Sequence, residues 1–233
     1  YENFPLPVVK TASGNFLELF HGPSGAFKDV ALTMLPKVAK LCGQEETVYV
    51  TATYGDTGKA ALEAFKDIPG TSILVFYPAM GVAPLQELQM QTQAGDNVKV
   101  VAIEGNFDDA QRAAKKILSS GDPGISSCNS INIARLIAQV PYYFHAAQQM
   151  AIAEPITFIV PSGNFGDILA GYYAKRMGLP VDQLVVATNS NTVLKDFFTT
   201  GVYDRKRDLV KTSSPSMDIL VSSNLERLLC HIF

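Results

Sequence analysis

TVYVTATYGDTGKAALEAF, residues 47–65, carries two hydrophobic periods in a single run. Its first seven residues are β-branched and apolar and read as a buried strand, whereas from residue 57 the apolar positions recur at helical spacing. Between the two lies YGDTG, a tight turn. Strand, polar turn and helix repeat outward along the chain. TSILVFYP (71–78), NVKVVAIEG (97–105), PITFIVPSG (155–163) and QLVVATNS (183–190) read as further buried strands. Helical patterns fill the spaces at 83–94, 107–119, 131–151 and 167–177, after the one at 57–66. This β-α-β-α alternation predicts an α/β fold, with a mostly parallel sheet covered by helices on both faces. In such folds ligands sit at the carboxyl ends of the strands, so function is to be sought in the strand-to-helix turns.

Composition narrows the function classes. The chain has 233 residues, 47% of them hydrophobic and 18% charged, with a formal net charge of -3. That is enough to bury one large or two small cores. No apolar run is long enough for a membrane span, and no basic stripe offers itself to nucleic acid. Cys42, Cys128 and Cys230 are odd in number and far apart, and they lack metal-ligand spacing. A disulfide framework and a metal site are therefore not expected, and reduced thiols in the cytoplasm are. The chain opens at Tyr1 without an initiator Met and stops at LLCHIF, so it reads as part of a longer product. The expected division is a smaller α/β domain over 30–145, with 146–233 forming part of a larger domain to which the stretch 1–29 also belongs.

Three turns carry polar groups suited to anions. PSGNFGD (161–167) follows a strand and opens a helix, and its small residues Ser162, Gly163, Asn164 and Gly166 let backbone N–H groups converge where the helix dipole favours negative charge. It matches neither the dinucleotide fingerprint nor the P-loop. TATYGDTG (51–58) has the same layout, with Thr53, Gly55, Asp56, Thr57 and Gly58 supplying hydroxyls and amides suited to a carboxylate. NSINIARLIAQ (129–139) places Asn129 and Ser130 at a helix start and Asn132, Arg135 and Gln139 on one helix face, with the arginine fork suited to phosphate. Each of these alone also reads as an ordinary capped turn or a solvated helix face.

The stretch LFHGPSGAFKDVAL (19–32) sets Lys28 behind a glycine turn at a helix start, where its charge opposes the helix dipole. An amine kept among Ala26, Phe27 and Val30 has the setting of a Schiff-base lysine. Joined to a phosphate cup, that chemistry suggests pyridoxal 5'-phosphate, with its aldehyde on Lys28 and its phosphate on the 163–167 loop.

HGPSGAFKD, TATYGDTG, NSINIAR and PSGNFGD, in this order and followed by SPSMDI (214–219), resemble the blocks of the threonine synthase family. These are fold-type II pyridoxal-phosphate enzymes of the tryptophan synthase β-like kind, built of two three-layer α/β domains with mostly parallel sheets. The resemblance runs over essentially the whole chain, which would be a partial copy of that architecture. It implies that Lys28 carries the cofactor, that Phe27 lies beside its ring, and that Gly163, Asn164, Phe165, Gly166 and Asp167 hold its phosphate. It further implies that Thr53, Gly55, Asp56 and Thr57 hold a substrate carboxylate, and that Asn129, Ser130 and Arg135 hold a substrate phosphate. The implied reaction is a carbon–oxygen lyase step of threonine biosynthesis, in which O-phospho-L-homoserine and water give L-threonine and phosphate.

Among the departures from the resemblance, two bear on local structure. Tyr54 stands where the family has a small serine, so its ring must swing out of the loop or the loop must differ, and it is left out of the site. Pro36 interrupts the helix expected after Lys28, at a cost of about 3 kcal/mol in a regular helix interior, so a kink or early stop is expected. The group partnering the pyridine nitrogen is expected beyond residue 233. A fragment without turnover, a sister lyase such as an amino-acid dehydratase, and a non-catalytic anion binder are the alternative readings. The sister lyase, whose substrates lack a leaving phosphate at Cγ, does not call for Arg135.

Overall fold

The computed structural model describes residues 4–151 and 154–233. The chain forms two compact units, the first running to Ala138 and the second from Gln139 to Phe233.

The first unit opens with an antiparallel hairpin of β1 (Val8–Thr11) and β2 (Gly14–Leu17), then α1 (Asp29–Leu32) and α2 (Leu35–Leu41). Next come β3 (Thr47–Ala52), α3 (Asp56–Phe65), β4 (Thr71–Pro78), α4 (Pro84–Gln91), β5 (Val98–Ile103), α5 (Phe107–Leu118), β6 (Ile125–Ser127) and α6 (Ile133–Ile137). The four later strands make one parallel sheet in the order β5-β4-β3-β6. Alternation along β3 distributes its residues between two cores, as the pleat requires. Tyr49 packs with Ile73, Val75, Leu62 and Phe65 on one face, and Val50 and Ala52 pack with Phe76, Ala110 and Ala114 on the other. The sheet is thus covered on both sides, as the continuous apolar strands predict.

Pro36 acts as expected. Helix α1 stops after one turn at Leu32, and Pro36 sits in the first turn of α2, where its missing N–H is no loss. The expected single helix over 131–151 is instead two. Helix α6 ends at Ile137, and α7 (Val140–Met150) begins afresh with Pro141 in its first turn. A division near residue 145 would cut α7; the two units part just before it.

The second unit holds α7, β7 (Ile156–Pro161), α8 (Gly166–Arg176), β8 (Val181–Ala187), α9 (Val193–Thr200) and α10 (Leu225–Ile232). Strands β7 and β8 pair in parallel across α8, a β-α-β unit, and Tyr143 of α7 packs edge-on against Phe158 of β7. Among the described residues, no helix is long and apolar enough to cross a membrane.

Candidate active site

The turn before α1 is closed by Asp29. Its carboxylate accepts hydrogen bonds from the Ser24 amide (2.9 Å) and the Ser24 hydroxyl (2.7 Å). Gly22 lies so close that a Cβ there would come within 2.4 Å of the same carboxylate, so the turn has no room for another residue at that position. Burial of Asp29 pushes its pKa up, opposed by the two bonds from Ser24. The closed turn delivers Lys28, which is 9% exposed and is no solvated surface charge. Its Nζ donates to Asp56 Oδ2 at 2.9 Å and lies 4.6 Å from the centroid of the Phe27 ring.

The loop after β3 is built around Thr53. Its Oγ1 accepts from the amides of Gly55 (2.9 Å) and Gly58 (3.0 Å), so this hydroxyl serves the turn and caps the start of α3. Gly55 has φ 138°, a conformation closed to other residues, and a Cβ there would meet Gln86 Oε1. The turn sends Asp56 toward Lys28 and Tyr54 the other way. Tyr54 stacks on Phe107 at the start of α5, with ring centroids 4.1 Å apart and planes at 19°. The bulky ring packs against the first residue of α5.

The third block adjoins the same end of the sheet, because β6 pairs with β3. The Asn129 side chain clamps the β3 backbone at Ala52, donating to its carbonyl (3.0 Å) and accepting from its amide (3.3 Å). Asn132 caps α6, and Ser130 lies half-buried in the turn before it. Arg135 is 3% exposed, and its Nη1 donates to the Cys128 carbonyl at 2.8 Å, so this helix face is buried. Burial pushes the adjoining Cys128 thiol up to about 11. Gln139 does not share the face of Arg135, since α6 ends before it. Lys28, Asp56, Asn129 and Arg135, spread over more than a hundred positions, thus gather around the carboxyl ends of β3 and β6.

In the second unit, the 162–167 loop joins β7 to α8. Asp167 braces it from within: its Oδ1 accepts from the Ser162 hydroxyl (2.6 Å) and the Ile168 amide (2.9 Å). The Tyr143 hydroxyl donates to the Asp167 carbonyl at 2.8 Å, and burial pushes that phenol well above its ordinary pKa. Phe165 adopts the left-handed conformation (φ 63°), an unfavourable one for an L-residue, and is held there by burial and by its stack on Phe198. The Gly163 and Asn164 carbonyls accept from the segment 222–224. No acceptor among the described residues takes the amides of Gly163, Asn164, Phe165 or Gly166. Four adjacent donors at the start of an eleven-residue helix suit a phosphate group.

Asp29, Ser222 and Asn224 were not singled out by the sequence. The acid directly after Lys28 was the only local signal for the first, and nothing local marks the other two. Among the described residues, no His, Cys, Asp and Glu cluster is placed to hold a metal ion.

A model of the pyridoxal-phosphate dependent enzyme family matches residues 17–231. The threonine synthase of Eremothecium gossypii is 45% identical, over 96% of this chain and 48% of its own length. That of Pseudomonas aeruginosa is 49% identical, over 95% and 49%. A crystal structure of pyridoxal-phosphate-bound threonine synthase from Brucella melitensis superposes with a TM-score of 0.88 at 45% identity, covering 99% of this chain and 52% of that one. The chain spans about half the length of the relatives it matches.

Proposed function

The chain belongs to the pyridoxal-phosphate dependent enzyme family, and from that premise we propose that it is the part of a threonine synthase that carries the reactive lysine and the cofactor's phosphate site. Its fold is that of the fold-type II members of that family, here as a partial chain.

One observation carries the proposal. A lysine amine, withdrawn from solvent and paired with Asp56, stands at the carboxyl end of the sheet. A surface lysine would need neither the closed turn before it nor the ion pair. Lys28 would hold the cofactor through its aldehyde, and Phe27, whose ring centroid lies 4.6 Å from the Lys28 amine, would lie beside the cofactor ring. The amides of the 163–166 run hold its phosphate, with Asp167 as the brace that keeps the loop in shape. When bound, pyridoxal 5'-phosphate supplies an electron sink conjugated to the substrate's α-carbon.

The substrate is O-phospho-L-homoserine. Its α-carboxylate is received by the loop of Thr53, Gly55, Asp56 and Thr57. Thr57 donates there, while Thr53 and Asp56, already engaged, shape the turn and hold the lysine. Arg135, with Asn129 and Ser130, receives the substrate phosphate and supplies the buried positive charge that a departing phosphate needs. As a free amine, Lys28 would move protons at the substrate's Cα and Cβ. Phosphate leaves from Cγ, water adds at Cβ, and L-threonine is released. We infer a cytoplasmic setting for the reaction from the odd number and wide spacing of Cys42, Cys128 and Cys230 along the sequence.

The test is to incubate the protein with pyridoxal 5'-phosphate, reduce with borohydride and locate the modified lysine by peptide mass spectrometry. Label on Lys28 is the expected result; label spread over exposed lysines would overturn the assignment.

A further inference from the structure

The segment 217–227 lies about sixty positions downstream of the anion loop and holds its backbone from behind. Ser222 Oγ donates to the Gly163 carbonyl. Asn224 donates to the Asn164 carbonyl twice, from its backbone amide and from its side-chain Nδ2, each at 3.1 Å. The donors are themselves fixed. Arg227 Nη1 donates to Asn224 Oδ1 at 2.8 Å, and because an arginine has only donors, this bond obliges Nδ2 to face Asn164. The Ser222 amide donates to the Tyr203 hydroxyl at 2.8 Å. Ser222 is 6% and Asn224 0% exposed, so both bonds are shielded from water. On the apolar side, a Cβ at Gly163 would come 2.9 Å from Ile219 Cδ1 and 3.4 Å from Met217 Cα, so the same segment closes directly on the loop.

In a planar trans peptide the C=O of one residue and the N–H of the next point in opposite directions. Holding the Gly163 carbonyl therefore aims the Asn164 N–H, and holding the Asn164 carbonyl aims the Phe165 N–H. These are two of the four amides that no described residue accepts from. We infer that Ser222 and Asn224 are positioning residues of the phosphate site: they turn the loop's amides outward before the ligand arrives, so that binding incurs no cost of ordering them. This inference rests on the reading of the 163–166 amides as a phosphate cradle.

The test compares two probes that differ only in the phosphate group. Pyridoxal 5'-phosphate and pyridoxal are titrated, by the absorbance of the lysine adduct, into the wild-type protein, Ser222→Ala, Ser222→Thr and Asn224→Ala. Wild type binds the phosphorylated form much more tightly. Ser222→Ala is expected to lower that affinity about tenfold while leaving affinity for pyridoxal unchanged, and Ser222→Thr, which keeps the hydroxyl, to retain it. Asn224→Ala, if it folds, shows a larger loss of the same kind. A wild-type ratio in Ser222→Ala, or an equal loss for both probes together with a lowered Tm, overturns the positioning role. Equal binding of the two probes by the wild type overturns the phosphate reading of the loop, and the inference falls with it.

Discussion

Lys28 and the 162–167 loop occupy equivalent places, each in a polar turn that opens a helix, yet they are held by opposite means. The Lys28 backbone is fixed by Asp29 and Ser24, but its amine sits at the end of a flexible four-carbon stem with an ion pair to a half-buried carboxylate. In the loop, the backbone itself is held, from within by Asp167 and from behind by Ser222 and Asn224. The difference fits the two tasks proposed for them. An amine that moves protons between two carbons has to swing, whereas an anion cradle works through dipoles that are already aligned. Damage on the lysine side is therefore expected in kcat, and damage on the loop side in affinity.

The largest effect tests the lysine side at its centre. Lys28→Arg keeps the positive charge and can keep the pair with Asp56, but a guanidinium is never deprotonated and makes no covalent link to an aldehyde. Turnover of O-phospho-L-homoserine by the protein is expected to fall on the order of a thousandfold or more, as for Lys28→Ala, with the Tm of the arginine variant little changed. Residual turnover near the wild-type level in Lys28→Arg would remove the lysine from the mechanism.

Arg135→Ala probes the rigid member of the lysine side. A charged hydrogen bond to the substrate is worth about 1.5–3 kcal/mol, so kcat/KM for O-phospho-L-homoserine should fall roughly ten- to a hundredfold. Affinity for L-threonine, which lacks the phosphate, should not change; an equal loss for both would show that Arg135 only holds the fold. Cys128 reports on the same spot. Its thiol is buried and pushed up to about 11, so it stays protonated at pH 8. Iodoacetamide should therefore label Cys42 and Cys230 but not Cys128 in the wild type, and the arginine variant should begin to expose it.

Asp56→Asn sharpens the comparison itself. The substitution keeps an acceptor for Lys28 Nζ and removes the charge from a pair that is only partly screened from water. We expect kcat to fall about tenfold and affinity for pyridoxal 5'-phosphate to stay within about threefold, the reverse of the pattern expected for Ser222→Ala. If both substitutions acted on affinity alone, the contrast between a mobile amine and a fixed cradle would be lost.

What the sequence showed of all this was its local part. The β-branched runs marked β3, β4, β5, β7 and β8, the glycine turns marked two of the three candidate anion loops, and Pro36 marked the break after α1, because each of these is decided within a few residues. The short hairpin β1–β2 and the three-residue β6 have too few residues to show a period. Pro141 was read through, since the apolar pattern of 131–151 continues across it, although two helices result. The partners of the site residues were hidden for another reason. Asp56 meets Lys28 across 28 positions, Asn129 meets Ala52 across 77, and Ser222 meets Gly163 across 59. Such pairings are made by the fold, and no spacing rule along the chain encodes them. Asp56 in particular carries a charge unsuited to a carboxylate partner; its contact with Lys28 and its place in the first turn of α3 both suit that charge.

The smallest effect concerns Tyr54, the residue that departs from the family's pattern. Its ring stacks on Phe107, and Phe107 is a fixed platform. Asn106 and Asp109 form a reciprocal cap at the start of α5, in which Asn106 Oδ1 accepts from the Asp109 amide (3.2 Å) and Asp109 Oδ2 accepts from the Asn106 amide (2.9 Å). An aromatic pair of this kind contributes about 0.5–1.5 kcal/mol beyond its buried area. A cycle of Tyr54→Ala, Phe107→Ala and the double variant, followed by denaturant unfolding, should therefore give a coupling energy in that range. The same variants distinguish an anchor from a bystander. If the stack holds the 53–58 loop in place, Tyr54→Ala raises KM for the substrate and leaves kcat nearly unchanged, because in the proposed site the loop receives the carboxylate while Asp56 still reaches Lys28 from the first turn of α3. Coupling near zero would mean that the ring merely covers the sheet edge, and that Thr53 and Gly55 shape the loop without it.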